Sequence, residues 1–175
     1  MTSKKSSLTD ISVMIFLAVT YLLIYLIDTL VNQEFHTELS PLIPGGLTFE
    51  ATGGGPFEVL LSGFLIKGIS LAVALAATWF MMVNIKRGQL YTRKTAIAVR
   101  TVSFSILAWF GGALIEHMGN NFAATRLGVE DLWDGPLFMS TSTIIVVWVL
   151  FSILYILERS INSAISMQQE VEDLV

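Results

Sequence analysis

Apolar side chains fall in four long runs, and each is bounded by polar, glycine-rich or charged segments. The first extends over residues 11–31, and further runs cover about 57–83, 96–115 and 137–157. A helix rises 1.5 Å per residue, so about 20 apolar positions suffice to cross a hydrocarbon core of about 30 Å. Each run meets that length, and the pattern predicts four transmembrane helices in an antiparallel bundle. The expected fold is an all-α integral membrane protein forming a single membrane domain over residues 1–175. Lys4 and Lys5 ahead of the first run also fit a secretory signal peptide. Its apolar core, however, exceeds the usual 7–15 residues or so, and no small-residue cleavage site follows, so the run is read as a span.

The connectors alternate in charge, and this predicts orientation. Lys4, Lys5, Lys86, Arg87, Arg93, Lys94, Arg100 and Arg159 fall on one side, Arg126 on the other, and Lys67 inside the second run. Basic residues in short loops are retained in the cytoplasm, so both termini and the loop 84–95 are expected there. The connectors 32–56 and 116–136 are then outer. They carry acids, Glu34, Glu38 and Glu50 in the first, with Glu58 just past its end, and Glu130, Asp131 and Asp134 in the second. The first outer connector is punctuated by Pro41, Pro44-Gly45-Gly46 and Gly53-Gly54-Gly55-Pro56. Between these, Leu47 to Thr52 reads as an ordered irregular loop, with a short strand as the alternative.

Composition agrees with the pattern. The 175 residues are 54% hydrophobic and 14% charged, with a mean hydropathy of +0.70, whereas charged residues make up about a quarter of a soluble domain. No cysteine is present, which excludes disulfides, thiolate metal sites and a cysteine nucleophile. The net charge of -4 says little, because the charges are sorted by side.

Lys67 is the most unusual residue, about ten residues below the start of the second run. A central Lys costs about 2.5–3.5 kcal/mol on insertion scales, so it is expected to face inward and pair. Asp28, near the end of the first span, is the foremost candidate partner. Glu116 and His117 stand at comparable height, so Asp28, Lys67, Glu116 and His117 form a candidate polar cluster. Its functional reading is an ion or proton relay or a site for an anionic headgroup. Its structural reading is an interhelical ion pair or a Lys that snorkels outward. His36 in a loop and His117 at a helix mouth are poorly placed as axial haem ligands, and neither forms a metal-binding spacing with nearby acids. No cofactor is expected.

Small residues mark packing faces in lipid: Gly68, Ala72 and Ala76 in the second helix, and Ala108, Gly111 and Gly112 in the third. Ser140 to Thr143 opens the fourth helix as caps or as a polar lining. Hydrolase and phosphate-loop signatures are missing, so no enzyme is expected. The remaining candidates for contact with lipid or protein are Lys86, Arg87, Arg93 and Lys94 of the cytoplasmic loop, Trp148 in mid-span, and Glu170, Glu172 and Asp173. The last three end a tail, 158–175, expected to continue the fourth helix with Ile161, Ala164, Ile165, Val171 and Val175 along one stripe. That tail is expected to fold against the basic loop or to dock on another protein.

Two of these segments carry a likeness. Ile85-Lys86-Arg87-Gly88-Gln89-Leu90-Tyr91-Thr92 with the downstream Arg100, and the ending Gln168-Gln169-Glu170-Val171-Glu172-Asp173-Leu174-Val175, resemble the bacterial four-helix membrane proteins of the domain of unknown function 2975 family. The ending lacks that family's usual Thr, and the helix after Arg159 lacks its Gly. The resemblance implies a bacterial cytoplasmic-membrane protein without established activity, in a family often encoded beside small helix-turn-helix regulators, and it transfers no catalytic residue. The expected role is contact: an accessory subunit of a larger membrane complex, a respiratory one included, or a membrane partner of a regulator. The alternative is a small homo-oligomeric ion or proton transporter using the Asp28, Lys67, Glu116 cluster. Expected partners are membrane lipid and other membrane subunits; nucleic acid is not expected.

Overall fold

The computed structural model describes residues 3–133 and 141–173, with side chains from Val13 onward. Lys4, Lys5, Asp134, Ser140, the first residues of the expected 137–157 span, and Leu174 and Val175 lie outside the described residues or side chains. Four long helices dominate: α1 (Ser3–Asn32), α3 (Gly54–Lys86), α4 (Arg93–Leu127) and α5 (Thr141–Glu172). All four are long and apolar enough to cross a membrane.

All four helices outrun the expected spans, α3 by only three residues at each end. Helix α1 begins at Ser3, ahead of the first apolar residue of its run. Helix α4 continues to Leu127, so much of the segment expected as an outer loop at 116–136 is helix. Helix α5 runs unbroken from Thr141 to Glu172, and this is the helical continuation expected of the tail. Hydropathy marks only the portion of a helix suited to lipid; the polar ends satisfy their backbone groups within the same helix and leave no such mark.

Helix ends follow local chemistry. At the end of α3, Gly88 adopts φ +74°, while Gln89 N–H donates to the Asn84 carbonyl at 2.9 Å and Gly88 N–H to that of Ile85 at 3.0 Å. This pairing closes a helix through a left-handed residue, and Gly takes that conformation without the steric penalty of a Cβ. Thr92 opens α4 by accepting from Thr95 N–H with its hydroxyl.

The segment between α1 and α3 is ordered and partly regular. β1 (Glu34–Phe35) pairs antiparallel with β2 (Leu47–Thr48), with Phe35 opposite Leu47. A 3-10 turn covers Ser40–Leu42, and the short α2 (Phe49–Thr52) starts on Thr48, whose hydroxyl accepts from Ala51 N–H. The stretch Leu47 to Thr52, expected as an irregular loop, is thus a two-residue strand running into a helical turn. Two-residue strands fall below the length at which alternation can be seen in a sequence.

Packing divides the chain into two compact units, each drawing on the same helices: residues 20–69 with 108–144, and residues 1–19 with 70–107 and 145–175. The first unit holds a core of Phe35, Leu39, Ile43, Leu47, Leu60, Phe64, Ala123 and Ala124. Phe35 is its hub, with ring centroids 5.0 Å from Phe57 and 6.0 Å from Phe64. The second unit has a smaller core of Ala96, Val99 and Ile161, flanked by Met81, Leu154 and Ile165. Elsewhere the helices present large apolar side chains outward, from Phe16, Leu17 and Ile24 on α1 to Ile145, Trp148 and Ile156 on α5.

Candidate functional site

The charged centre of the first unit is built by a close approach of two backbones. A Cβ on Gly63 of α3 would stand 2.6 Å from the Glu116 nitrogen and 2.8 Å from the Gly112 carbonyl oxygen, and one on Gly112 would stand 2.9 Å from the Gly63 oxygen. One on Gly119 would meet Leu60 at 2.9 Å. Leu60, Gly63 and Lys67 recur on one face of α3, as Gly112, Glu116 and Gly119 do on one face of α4. Small residues permit this proximity, and the next turn of each helix then brings its charge to the other. Lys67 Nζ lies 2.5 Å from Glu116 Oε2, with the two side chains 20% and 16% exposed.

The structure therefore corrects the expected pairing. Asp28 does not serve Lys67; its carboxylate accepts from Asn32 at 2.7 Å and meets His36 Nε2 at 3.1 Å. The order of hydropathy could not choose between Asp28 and Glu116, because helix rotation decides which acid faces the amine. His117 neighbours Glu116 in sequence but turns to Trp133, ring centroids 6.0 Å apart, and is buried. Of the four cluster residues, Lys67 and Glu116 are joined, while Asp28 and His117 engage other groups. Among the described residues no group of three His, Asp or Glu side chains is placed to hold a metal ion.

The packing glycines are also corrected. Gly112 is at the crossing, but a Cβ on Gly111 would meet nothing within 4 Å, one on Gly68 would touch only Leu26 at 3.6 Å, and Ala72 and Ala76 are exposed. The i, i+4, i+8 run of small residues identifies a face without saying whether a helix covers it. Gly63, which makes the tightest approach, stands alone among larger residues and gave no such signal.

Above this pair the segment 33–53 is tied down by polar contacts. Thr37 Oγ1 donates to Asn120 Oδ1 at 2.7 Å, and Ser40 Oγ donates to the Phe35 carbonyl; at the far end of α4, Trp133 Nε1 donates to Asn121 Oδ1 at 2.7 Å. Arg126, the lone basic residue expected on the outer side, stands over Gly53, where an added Cβ would come within 2.6 Å of its Nη2.

The second unit holds a different charged pair. Arg100 of α4 donates to Glu158 Oε1 of α5 from Nε at 2.8 Å and from Nη2 at 2.7 Å. Glu158 had no role in the sequence reading; the signal available was an acid at the boundary of the last apolar run, among basic residues of the same side. Lys86, Arg87, Arg93 and Lys94 are all exposed, as are Glu170, Glu172 and Asp173, and no ion pair joins the two sets among the described residues. Ile161 and Ile165 of the tail pack on Ala96 and Val99, whereas Val171 is exposed. Trp148 is 60% exposed and makes an edge-on contact with Phe151.

Compared with known proteins, the chain is matched by no family model, no curated protein and no solved structure.

Proposed function

We propose that the chain is a multi-pass protein of the bacterial cytoplasmic membrane with both termini in the cytoplasm, and that it works by contact rather than by catalysis. It serves as an accessory subunit of a larger membrane assembly or as the membrane partner of a regulator. One observation carries this reading: apolar side chains lie exposed along four spanning-length helices, on α1 from Val13 to Val31 and on α5, where Ile145, Val146, Trp148, Val149, Leu150, Ile153 and Ile156 all face outward. Such a surface suits lipid and neighbouring helices and is far larger than a water-soluble monomer exposes. The likeness of the 85–92 and 168–175 segments to the domain of unknown function 2975 family supports the same assignment.

Extraction in a mild detergent, native electrophoresis and mass spectrometry of the band test it. The expected outcome is co-migration with larger partners and their loss on replacing Trp148 by Ala. A small particle of this chain alone overturns it.

The mostly covered Lys67–Glu116 pair is the observation that favours the second reading, a homo-oligomeric ion or proton carrier. Proteoliposome flux decides: loss of flux in Lys67→Met at unchanged abundance would establish transport, and equal absence of flux in both proteins would leave the pair a structural one.

A further inference from the structure

A groove of about 420 Å³ on the second unit is lined by Arg100, Tyr155, Glu158, Arg159, Asn162 and Ser163, with Ser166 at its end. The α5 residues recur at three- and four-residue steps, so they share one face, while Ile161 and Ile165 turn to the small core. Arg100 uses Nε and Nη2 on Glu158, which leaves donors on Nη1. Arg159, Tyr155 and Asn162 make no hydrogen bond or ion pair among the described residues, although each carries a donor. Two guanidinium groups against one carboxylate give the lining a formal charge of +1, and Glu158 is already engaged by Arg100. Donors outnumber acceptors, and the excess charge matches a singly charged anion bearing several oxygens.

Position selects the form of that anion. Glu158 follows the last apolar run directly, Tyr155 lies two residues inside its end, and Arg100 lies one turn inside the third run. These are the depths at which phosphodiesters stand and where Tyr and Arg side chains collect. We propose that this groove binds the phosphodiester headgroup of an anionic phospholipid, with Arg159 and the spare Arg100 donors on its oxygens and Tyr155 and Asn162 completing the set. The proposal rests on the multi-pass membrane reading above.

Full-length protein in nanodiscs made from mixed phosphatidylglycerol and phosphatidylcholine, released and weighed by native mass spectrometry, tests it. Stable incorporation into the discs checks the membrane reading separately, whatever lipid is retained. The expected result is retained phosphatidylglycerol, reduced about tenfold or more in Arg159→Gln and several-fold in Tyr155→Phe, which keeps the charge. Lys86→Gln removes the same charge from the loop and serves as the control, with a loss of about fivefold or less. Equal losses in Arg159→Gln and Lys86→Gln, with none in Tyr155→Phe, would reduce the binding to diffuse attraction and overturn the proposal. Displacement of the lipid by millimolar inorganic phosphate would assign the groove to a free anion and overturn it equally.

Discussion

Both units of this chain join an acid and a base across two helices, yet they place the pair in opposite settings. In the unit of residues 20–69 and 108–144, Lys67 and Glu116 sit beside a glycine crossing with both side chains mostly buried, beneath an aromatic core and an ordered connector. In the other unit, Arg100 remains 60% exposed and only Glu158 is covered, at 12%. The difference teaches that charge pairing follows from backbone approach: where glycines let helices close, both charges lose solvent and depend on one another. Where they do not, one partner keeps its water and the pair borders a groove.

The largest effect is expected from breaking the covered pair. Glu116→Gln leaves an ammonium without its anion inside the first unit, and loss of one partner of a buried pair costs about 3–5 kcal/mol. Unfolding in mixed detergent micelles reads this as lost stability. The double replacement Lys67→Met with Glu116→Leu removes both charges at similar volume and is expected to recover most of the loss. Recovery would sharpen the comparison by showing that each charge matters for the sake of the other; no loss in Glu116→Gln would erase the contrast between the units.

Next in size is the crossing itself. Gly63→Ala places a methyl 2.6 Å from the Glu116 nitrogen and 2.8 Å from the Gly112 oxygen, and backbone atoms cannot yield as a flexible side chain does. A cost of about 1–3 kcal/mol follows. Gly111→Ala, one residue from the crossing on α4, meets nothing within 4 Å and is expected to be neutral or slightly stabilising through helix propensity. Equal stabilities for the two variants would mean that the helices do not approach there.

This contrast also marks what the sequence can disclose. Four spanning-length helices and the helical tail were legible because each rests on local order: apolar run length and continued periodicity. Lys67 stood out for the same reason, since a charge inside an apolar run needs no partner to be seen. Its partner was not legible, because Asp28 and Glu116 have similar depth and only helix rotation separates them. The two-residue pairing of Phe35 with Leu47, the approach at Gly63 and the meeting of Arg100 with Glu158 join residues remote in the chain, and none repeats a local pattern.

The smallest effect is expected at Arg100 and Glu158, and its asymmetry makes it informative. Glu158→Gln releases a guanidinium already open to solvent, so the loss falls in the range of exposed pairs, about 0.2–1 kcal/mol, and shrinks further as salt is added. Arg100→Gln does the reverse and leaves a carboxylate that is 12% exposed without its cation, for which about 1–3 kcal/mol is expected and salt gives little relief. Both are measured by micelle unfolding without anionic lipid, so that headgroup binding does not enter. At the covered pair, by contrast, Lys67→Met and Glu116→Gln should each cost several-fold more than Glu158→Gln, since the partner left behind there is at most 20% exposed, against 60% for Arg100. If Glu158→Gln proved as costly as Glu116→Gln, exposure of one partner would not govern the worth of an ion pair in this chain, and the two units would differ in shape but not in energetics.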